Sequence, residues 1–265
     1  MVADTATSLR RGIAVLQALH SDEALAGGGL GVLRIADLVG QDKSQVSRTL
    51  KTLAEYGLVD RDPQSRAYRL GWVVFALAAR AGDMRLRVAG EPLVRELVEK
   101  LGERVHLSVL QGTEVLTVLS ETPPYAIQAT GWVGRTVPAY CSSAGRALLL
   151  DHSRDELRAL FKGVRFVQLG PEAPRSVDEL YGRIEQARER AYTIIEDEFE
   201  PGLVAAAAPV RDFQGRIVAA LNVSAPAFRL GPRLEDAAET VAEASGKLST
   251  LLGWTKDRPL TTLEA

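Results

Sequence analysis

The chain has 265 residues, which is enough for two domains of ordinary size. Hydrophobic residues make up 46% and charged residues 25%, as in ordinary globular proteins, and the net charge of −2 means that any basic surface must be local. The single cysteine, Cys141, excludes an internal disulfide, and no apolar run approaches the roughly 20 residues that a membrane span needs. We therefore expect a cytoplasmic protein.

Three amphipathic helices are predicted near the N-terminus. The first ends at Ser21, and the glycine-rich residues 24–31 (ALAGGGLG) then form a flexible connector. The second covers residues 32–40 (VLRIADLVG), where the glycine ends the helix. The third starts at Lys43 and ends at Gly57, and its buried face is marked by the helically spaced Val46, Leu50 and Leu53.

Polar and basic side chains occupy the other faces of the third helix, namely Lys43, Ser44, Gln45, Ser47, Arg48 and Lys51. Two short alternating segments follow and predict a hairpin that carries Arg61 and Arg66. Two helices, a tight turn, a helix and a hairpin make the winged helix-turn-helix layout. Its third helix can read the major groove while the hairpin contacts the backbone or the minor groove. We predict a DNA-binding domain over residues 1–70; a solvated helix with scattered charges is the alternative.

Residues 71–83 are strongly apolar and predict a linker helix. Trp72 and Phe75 lie on it at helical spacing. An aromatic helix exposed between two domains would aggregate, so we expect it to pack against a partner chain.

The remaining pattern predicts a mixed second domain over residues 84–256. It opens and closes with an amphipathic helix, and between them lie several strands, hairpins and further helices. Antiparallel strands with helices on either side make an α+β domain. We expect the last residues, 257–265, to be frayed.

Several segments together resemble the IclR-type family of bacterial transcriptional regulators. They are SLRRGIAVLQAL, LRIADLVGQDKSQVSRTLKTLAEYGLVDRD, YRLGW, PAYCSSAGRALL and EPGLVAAAAPVRDFQGRIVAALNVSAP. The resemblance implies a winged helix-turn-helix that binds a double-stranded DNA operator, expected to be palindromic. It also implies a GAF-like α+β domain with a mainly antiparallel sheet that binds a small effector, and a homodimer or a tetramer.

The resemblance also implies the positions of the effector pocket. These are Ser143, Ala144, Leu203, Ala205, Asn222 and Ser224, with Ile127 and Ala129 on the opposite wall. The first amides of the helix after Ser142 lack internal partners, so a carboxylate could bind there; a capped helix with water is the alternative. Where the family often has an acidic residue and a cysteine, this chain has Ile195 and Ala205. These changes favour a larger, partly apolar or aromatic acid over a small keto acid, and they also allow a pocket without a ligand.

No pattern indicates an enzyme, a cofactor or a metal site. Cys141 and His106 are not placed together by any motif, no Gly-x-Ser-x-Gly elbow surrounds Ser142, and the acidic residues 196–200 lack the spacing of a calcium loop. The predicted function is therefore a DNA-binding regulator controlled by a small organic acid. The alternatives are a constitutive regulator whose second domain only oligomerises, and a small-molecule hydrolase. The sequence leaves open the effector, the operator and whether the protein represses or activates.

Overall fold

The computed structural model describes residues 5–78, 84–124 and 131–255. The chain divides into two compact units, residues 1–84 and 85–265, and each is described by itself. Among the described residues, every helix is too short or too polar to cross a membrane.

The first unit consists of five helices and a hairpin within its described residues. They are α1 (Thr5–Leu19), α2 (Asp22–Ala26), α3 (Val32–Val39), α4 (Lys43–Glu55), β1 (Val59–Arg61), β2 (Tyr68–Leu70) and α5 (Trp72–Ala78). The short helix α2 corrects the prediction of a plain connector over residues 24–31. Its formation is explained by Ser21, whose side chain accepts a hydrogen bond from the Ala24 N–H at 3.3 Å and caps the helix.

The core of this unit lies between the first helices and the hairpin. Val15 on α1, Ile35 on α3, Val46 and Leu50 on α4 and Val59 on β1 are fully or almost fully buried. Strands β1 and β2 pair antiparallel, with Asp60 opposite Arg69. The shared core fixes α4 and the hairpin as parts of one compact unit.

The second unit is built on a six-stranded sheet. Its elements are α6 (Met84–Leu101), β3 (Arg104–Gln111), β4 (Glu114–Glu121), β5 (Thr136–Pro138), a 3-10 turn (Ala139–Cys141), α7 (Ser143–Leu148), α8 (Arg154–Leu160), α9 (Val177–Arg188), β6 (Thr193–Glu196), β7 (Leu203–Arg211), β8 (Ile217–Pro226), α10 (Ala227–Leu230), a second 3-10 turn (Gly231–Arg233) and α11 (Leu234–Leu251). The strand order is β5-β4-β3-β8-β7-β6 and all neighbours are antiparallel. The predicted α+β class with an antiparallel sheet is confirmed.

Residue alternation sends the two faces of the sheet to two different environments. On β3, Val105 and Leu107 are buried in the core formed with α6 and α11. The residues between them point to the opposite face, because successive strand side chains alternate. That second face is covered at one end by α7 and α9, and elsewhere it borders a cavity.

Parts of the predicted organisation lie outside the described residues. Of the predicted linker helix, residues 72–78 form α5, whereas residues 79–83 are not described. The tail predicted to be frayed, residues 257–265, also lies outside the described part of the chain.

Candidate functional site

Helix α4 presents one polar surface. Val46 and Leu50 are completely buried, so the helix is fixed with this face inward. Of the six α4 residues predicted to contact DNA, Gln45 is half-buried and the others are exposed, namely Lys43, Ser44, Ser47, Arg48 and Lys51. An exposed helix with amide, hydroxyl and basic groups can donate to base edges and to phosphates.

The hairpin is shaped by local hydrogen bonds at its turn. The Asp62 carboxylate accepts from the backbone N–H of Gln64 at 3.0 Å and of Ser65 at 2.7 Å. These hydrogen bonds lower the pKa of Asp62, and the bond from Ser65 makes the largest contribution. Arg66 follows in the left-handed region with φ 59°, and the Arg61 guanidinium lies 5.2 Å from the Tyr68 ring centroid. Both arginines are exposed, so the turn holds two cations on the surface of the hairpin.

A cavity of about 1040 Å³ borders the second face of the sheet in the C-terminal unit. Six of the residues predicted to bind the effector line it, namely Ser143, Ala144, Leu203, Ala205, Asn222 and Ser224. The other two, Ile127 and Ala129, lie outside the described residues. Apolar walls come from Ile195, Phe199 and Trp132.

Strand β3 adds a polar row that the sequence analysis missed. Arg104, His106 and Ser108 all line the cavity. Arg104 lies opposite Ser224 on β8, and His106 lies opposite Asn222. The signal was present, because polar residues at 104, 106 and 108 alternate with apolar ones at 105 and 107, which predicts one polar strand face.

His106 is a buried neutral group in this row. Its side chain is 5% exposed, and its Nδ1 atom has no hydrogen-bond partner among the described residues. Burial and then the nearby positive charge of Arg104 lower the pKa of His106 to about 3. The imidazole is therefore uncharged near neutral pH, with one nitrogen that donates and one that accepts a hydrogen bond.

Arg104 is the cation of this row. Burial and then the charge of Arg135 lower the pKa of Arg104, and no carboxylate among the described residues opposes this effect. Two further arginines on the cavity wall have a carboxylate partner, unlike Arg104. Arg229 donates to both oxygens of Glu103, at 3.0 and 2.8 Å, and Arg233 lies 3.8 Å from the same carboxylate.

At the start of α7, one backbone N–H already has a hydrogen-bond acceptor within the protein. The Ser142 hydroxyl accepts from the Gly145 N–H at 3.2 Å and donates to the Pro138 carbonyl at 3.0 Å. The expectation that the first amides of this helix lack partners is therefore wrong for Gly145. The helix has only six residues, so it offers little dipole to an anion.

A buried charge network holds the segment between β6 and β7 that forms one cavity wall. Glu198 bonds to Arg146 on α7 and lies 2.9 Å from Nη1 of Arg183 on α9. Its chain neighbours Phe199 and Glu200 line the cavity. The network therefore attaches the segment between β6 and β7 to helices α7 and α9.

Cys141 is buried and does not line the cavity that His106 lines. Burial raises its pKa to about 12, so it carries no thiolate near neutral pH. The described residues also contain no group of three or more His, Cys, Asp or Glu side chains that could hold a metal ion.

Comparison with known proteins identifies both units. Residues 8–63 match the IclR helix-turn-helix domain, and residues 78–250 match the bacterial transcriptional regulator IclR C-terminal domain. The chain is 31% identical to the HTH-type transcriptional repressor AllR of Escherichia coli (strain K12) over 251 residues, covering 94% of this chain and 91% of AllR. It is 28% identical to the HTH-type transcriptional regulator KdgR of the same strain over 253 residues, covering 95% of this chain and 94% of KdgR.

A solved structure shares the fold. It is an IclR homologue from Microbacterium hydrocarbonoxydans complexed with 4-hydroxybenzoate, with a TM-score of 0.80 and 23% identity, covering 92% of this chain and 98% of that one. The named relatives are transcriptional regulators, which confirms the prediction of a DNA-binding regulator over that of an enzyme. The chain therefore belongs to the IclR family of bacterial transcriptional regulators, and its helix-turn-helix is a DNA-binding domain.

Proposed function

We propose that this regulator binds a small organic acid in the C-terminal cavity and that the bound acid changes its affinity for a DNA operator. The observation that carries the proposal is the cavity of about 1040 Å³, where polar groups from β3, β8 and the start of α7 converge between apolar walls. A concave site with a few convergent polar groups is typical of small-molecule binding.

The chemistry of the walls supports a partly apolar or aromatic acid. Ile195, Ala205 and Leu203 offer no ionisable group, whereas Asn222 and Ser224 can hydrogen-bond to a ligand. The fold neighbour complexed with 4-hydroxybenzoate binds a ligand of this kind, which agrees with the proposal.

Operator binding would use the polar face of α4 together with the hairpin. Arg48 and Lys51 contact phosphates or guanine edges, Gln45 pairs with adenine, and Lys43, Ser44 and Ser47 complete the surface. Arg61 and Arg66 contact the flanking backbone or minor groove. A homodimer, or a tetramer, presents two such helices to the half-sites of a palindrome.

The test begins with genome-wide mapping of bound DNA, followed by fluorescence anisotropy of a bound fragment at fixed salt. Arg48→Ala and Lys51→Ala are expected to weaken binding and to reduce its salt dependence, because each removes a cation from the interface. Arg175→Ala removes an exposed cation from the other unit and serves as the control. Equal affinity of all four proteins would remove α4 from the interface.

The effector half of the proposal is tested on the same DNA fragment. Acids that raise the thermal midpoint of the wild-type chain, screened from aromatic and aliphatic carboxylates, are expected to change operator affinity by about 5–150-fold. Ser224→Leu projects a larger side chain into the cavity and should abolish this response while keeping DNA binding; Thr136→Leu, on an exposed strand position outside the cavity, should not. Specific DNA binding without any response to acids would instead support the constitutive alternative.

A further inference from the structure

We infer that Arg104 is the carboxylate anchor of the cavity and that the His106–Asn222 pair receives an uncharged hydrogen-bonding group of the same ligand, so that the ligand is a hydroxylated aromatic monocarboxylate. This inference rests on the proposed function and adds the orientation and class of the ligand.

The position of the carboxylate follows from the charges on the cavity wall. A buried carboxylate needs a cationic or strongly donating partner to offset its loss of hydration. The neutral His106 cannot supply charge, and the Gly145 amide at the start of α7 already bonds to Ser142. Arg229 and Arg233 are engaged with Glu103, and Lys100 is exposed to solvent. Arg104, by contrast, is half-buried, and no described carboxylate pairs with it.

Arg104 also has the geometry that a carboxylate requires. Its planar guanidinium can form two parallel hydrogen bonds to one carboxylate. Ser224 lies directly opposite on β8 and lines the same cavity, so its hydroxyl can add a third. A bound anion would also stabilise the charged form of Arg104, whose pKa is lowered by burial and then by the charge of Arg135.

The second ligand group follows from the strand alternation. Arg104 and His106 lie two residues apart on the same face of β3, with their Cα atoms about 7 Å apart, so they can contact two separate groups of one ligand. His106 faces Asn222 across the strands, and both are buried on the cavity side. A neutral imidazole and an amide suit a hydroxyl group, which both donates and accepts hydrogen bonds.

The aromatic ring between these two ends has suitable neighbours. The Trp132 ring centroid lies 5.5 Å from that of His106, and Phe199 and Leu203 also line the cavity. Flat apolar walls beside a polar row favour an aromatic ring over a flexible polar chain. Glu200, also on the wall, disfavours a second carboxylate on the ligand.

Isothermal titration calorimetry of the full chain tests the inference with four probes: 4-hydroxybenzoate, benzoate, 4-hydroxybenzamide and hexanoate. We expect 4-hydroxybenzoate to bind most tightly. Benzoate should bind several-fold more weakly because it lacks the hydroxyl, and 4-hydroxybenzamide at least about tenfold more weakly because it lacks the charge.

Three variants locate the carboxylate. Arg104→Gln should weaken 4-hydroxybenzoate binding at least about tenfold while leaving the benzamide unchanged, and Arg104→Lys should recover part of the loss. Lys100→Gln removes a cation from the margin of the same cavity. It is expected to change the affinity for neither 4-hydroxybenzoate nor 4-hydroxybenzamide by more than a few-fold. Thermal midpoints close to wild type establish that the variants are folded.

The outcomes separate the inference from the proposed function. Acid binding that is equal in wild type and Arg104→Gln overturns the anchor while the proposed function stands. Binding of hexanoate but of no aromatic acid overturns the ligand class. If no acid binds the wild-type chain at all, both the inference about Arg104 and the proposed function are wrong.

Discussion

Single side chains decide the chemistry of the cavity, and His106 is the clearest case. Strand alternation places it on the cavity face, the opposite strand covers it, and burial then keeps it uncharged. A residue that would titrate near pH 6.5 in water becomes a neutral hydrogen-bonding group. A role as the base of the Cys141 thiol is not supported, because Cys141 does not line the cavity that His106 lines.

His106 should make the stability of the protein depend on pH. Its pKa is near 6.5 in the unfolded chain and about 3 in the folded one, so the unfolded chain binds an extra proton between these values. Stability is therefore lost as pH falls from 6.5 toward 3, and at pH 5 the cost is about 2 kcal/mol. Urea unfolding at pH 7.5 and pH 5 should show a smaller loss for His106→Gln than for wild type.

Ser108 in the same polar row of β3 supplies the control for that experiment, because it has no group that titrates in this range. Ser108→Ala should lose as much stability as wild type between the two pH values. Equal losses in His106→Gln and wild type would show that the buried imidazole does not govern this pH range.

At the level of single elements, helix α7 depends on close packing. All six of its residues are buried, and it follows directly on the 3-10 turn 139–141. A Cβ on Gly145 would lie 2.1 Å from the carbonyl oxygen of Ala139, so only glycine fits between helix and turn. This tight corner brings Ser142, Ser143 and Ala144 to the cavity wall.

Gly145→Ala should therefore destabilise the protein by about 1–3 kcal/mol or more, because the turn must move to admit the methyl group. Gly182→Ala is the matched control: this glycine lies on α9, and nothing lies within 4 Å of its added Cβ. There the same change should stabilise by about 0.5–1 kcal/mol through helix propensity. Urea unfolding followed by circular dichroism measures both, and shifts of the same sign would contradict the packing argument.

At the scale of the whole molecule, the apolar surface of α5 predicts self-association. Trp72 is 78% exposed and Phe75 is 66% exposed, and their rings pack edge to face at 5.9 Å. Adjacent exposed aromatic side chains are typical of an interaction surface. A dimer would also match the two-fold symmetry expected of the operator.

We expect the double variant Trp72→Ser/Phe75→Ser to lower the mass measured by sedimentation velocity and to weaken operator binding, because each loss removes aromatic contact area from the interface. Phe228→Ser is the control, since this residue is 80% exposed on the other unit. An unchanged mass in the double variant would assign self-association to another surface.

The element pattern was largely predictable because it depends on short-range physics. Apolar spacing placed α3 and α4, Gly40 ended α3 in the left-handed conformation at φ 63°, and alternation placed the hairpin. The unpredicted helix α2 is also a local feature, because Ser21 ends one helix and at the same time caps the next.

The family, most of the element order and the polar face of α4 follow from the sequence, and the resemblance to the family implied six residues that line the cavity. The folded chain was needed to show which polar groups share that cavity and which charges are already paired. Arg104, Glu103 and Arg229 look alike as surface charges in the sequence, yet two of them neutralise each other across 126 positions. Such pairing depends on contacts between distant segments, and periodicity along the chain carries no information about them.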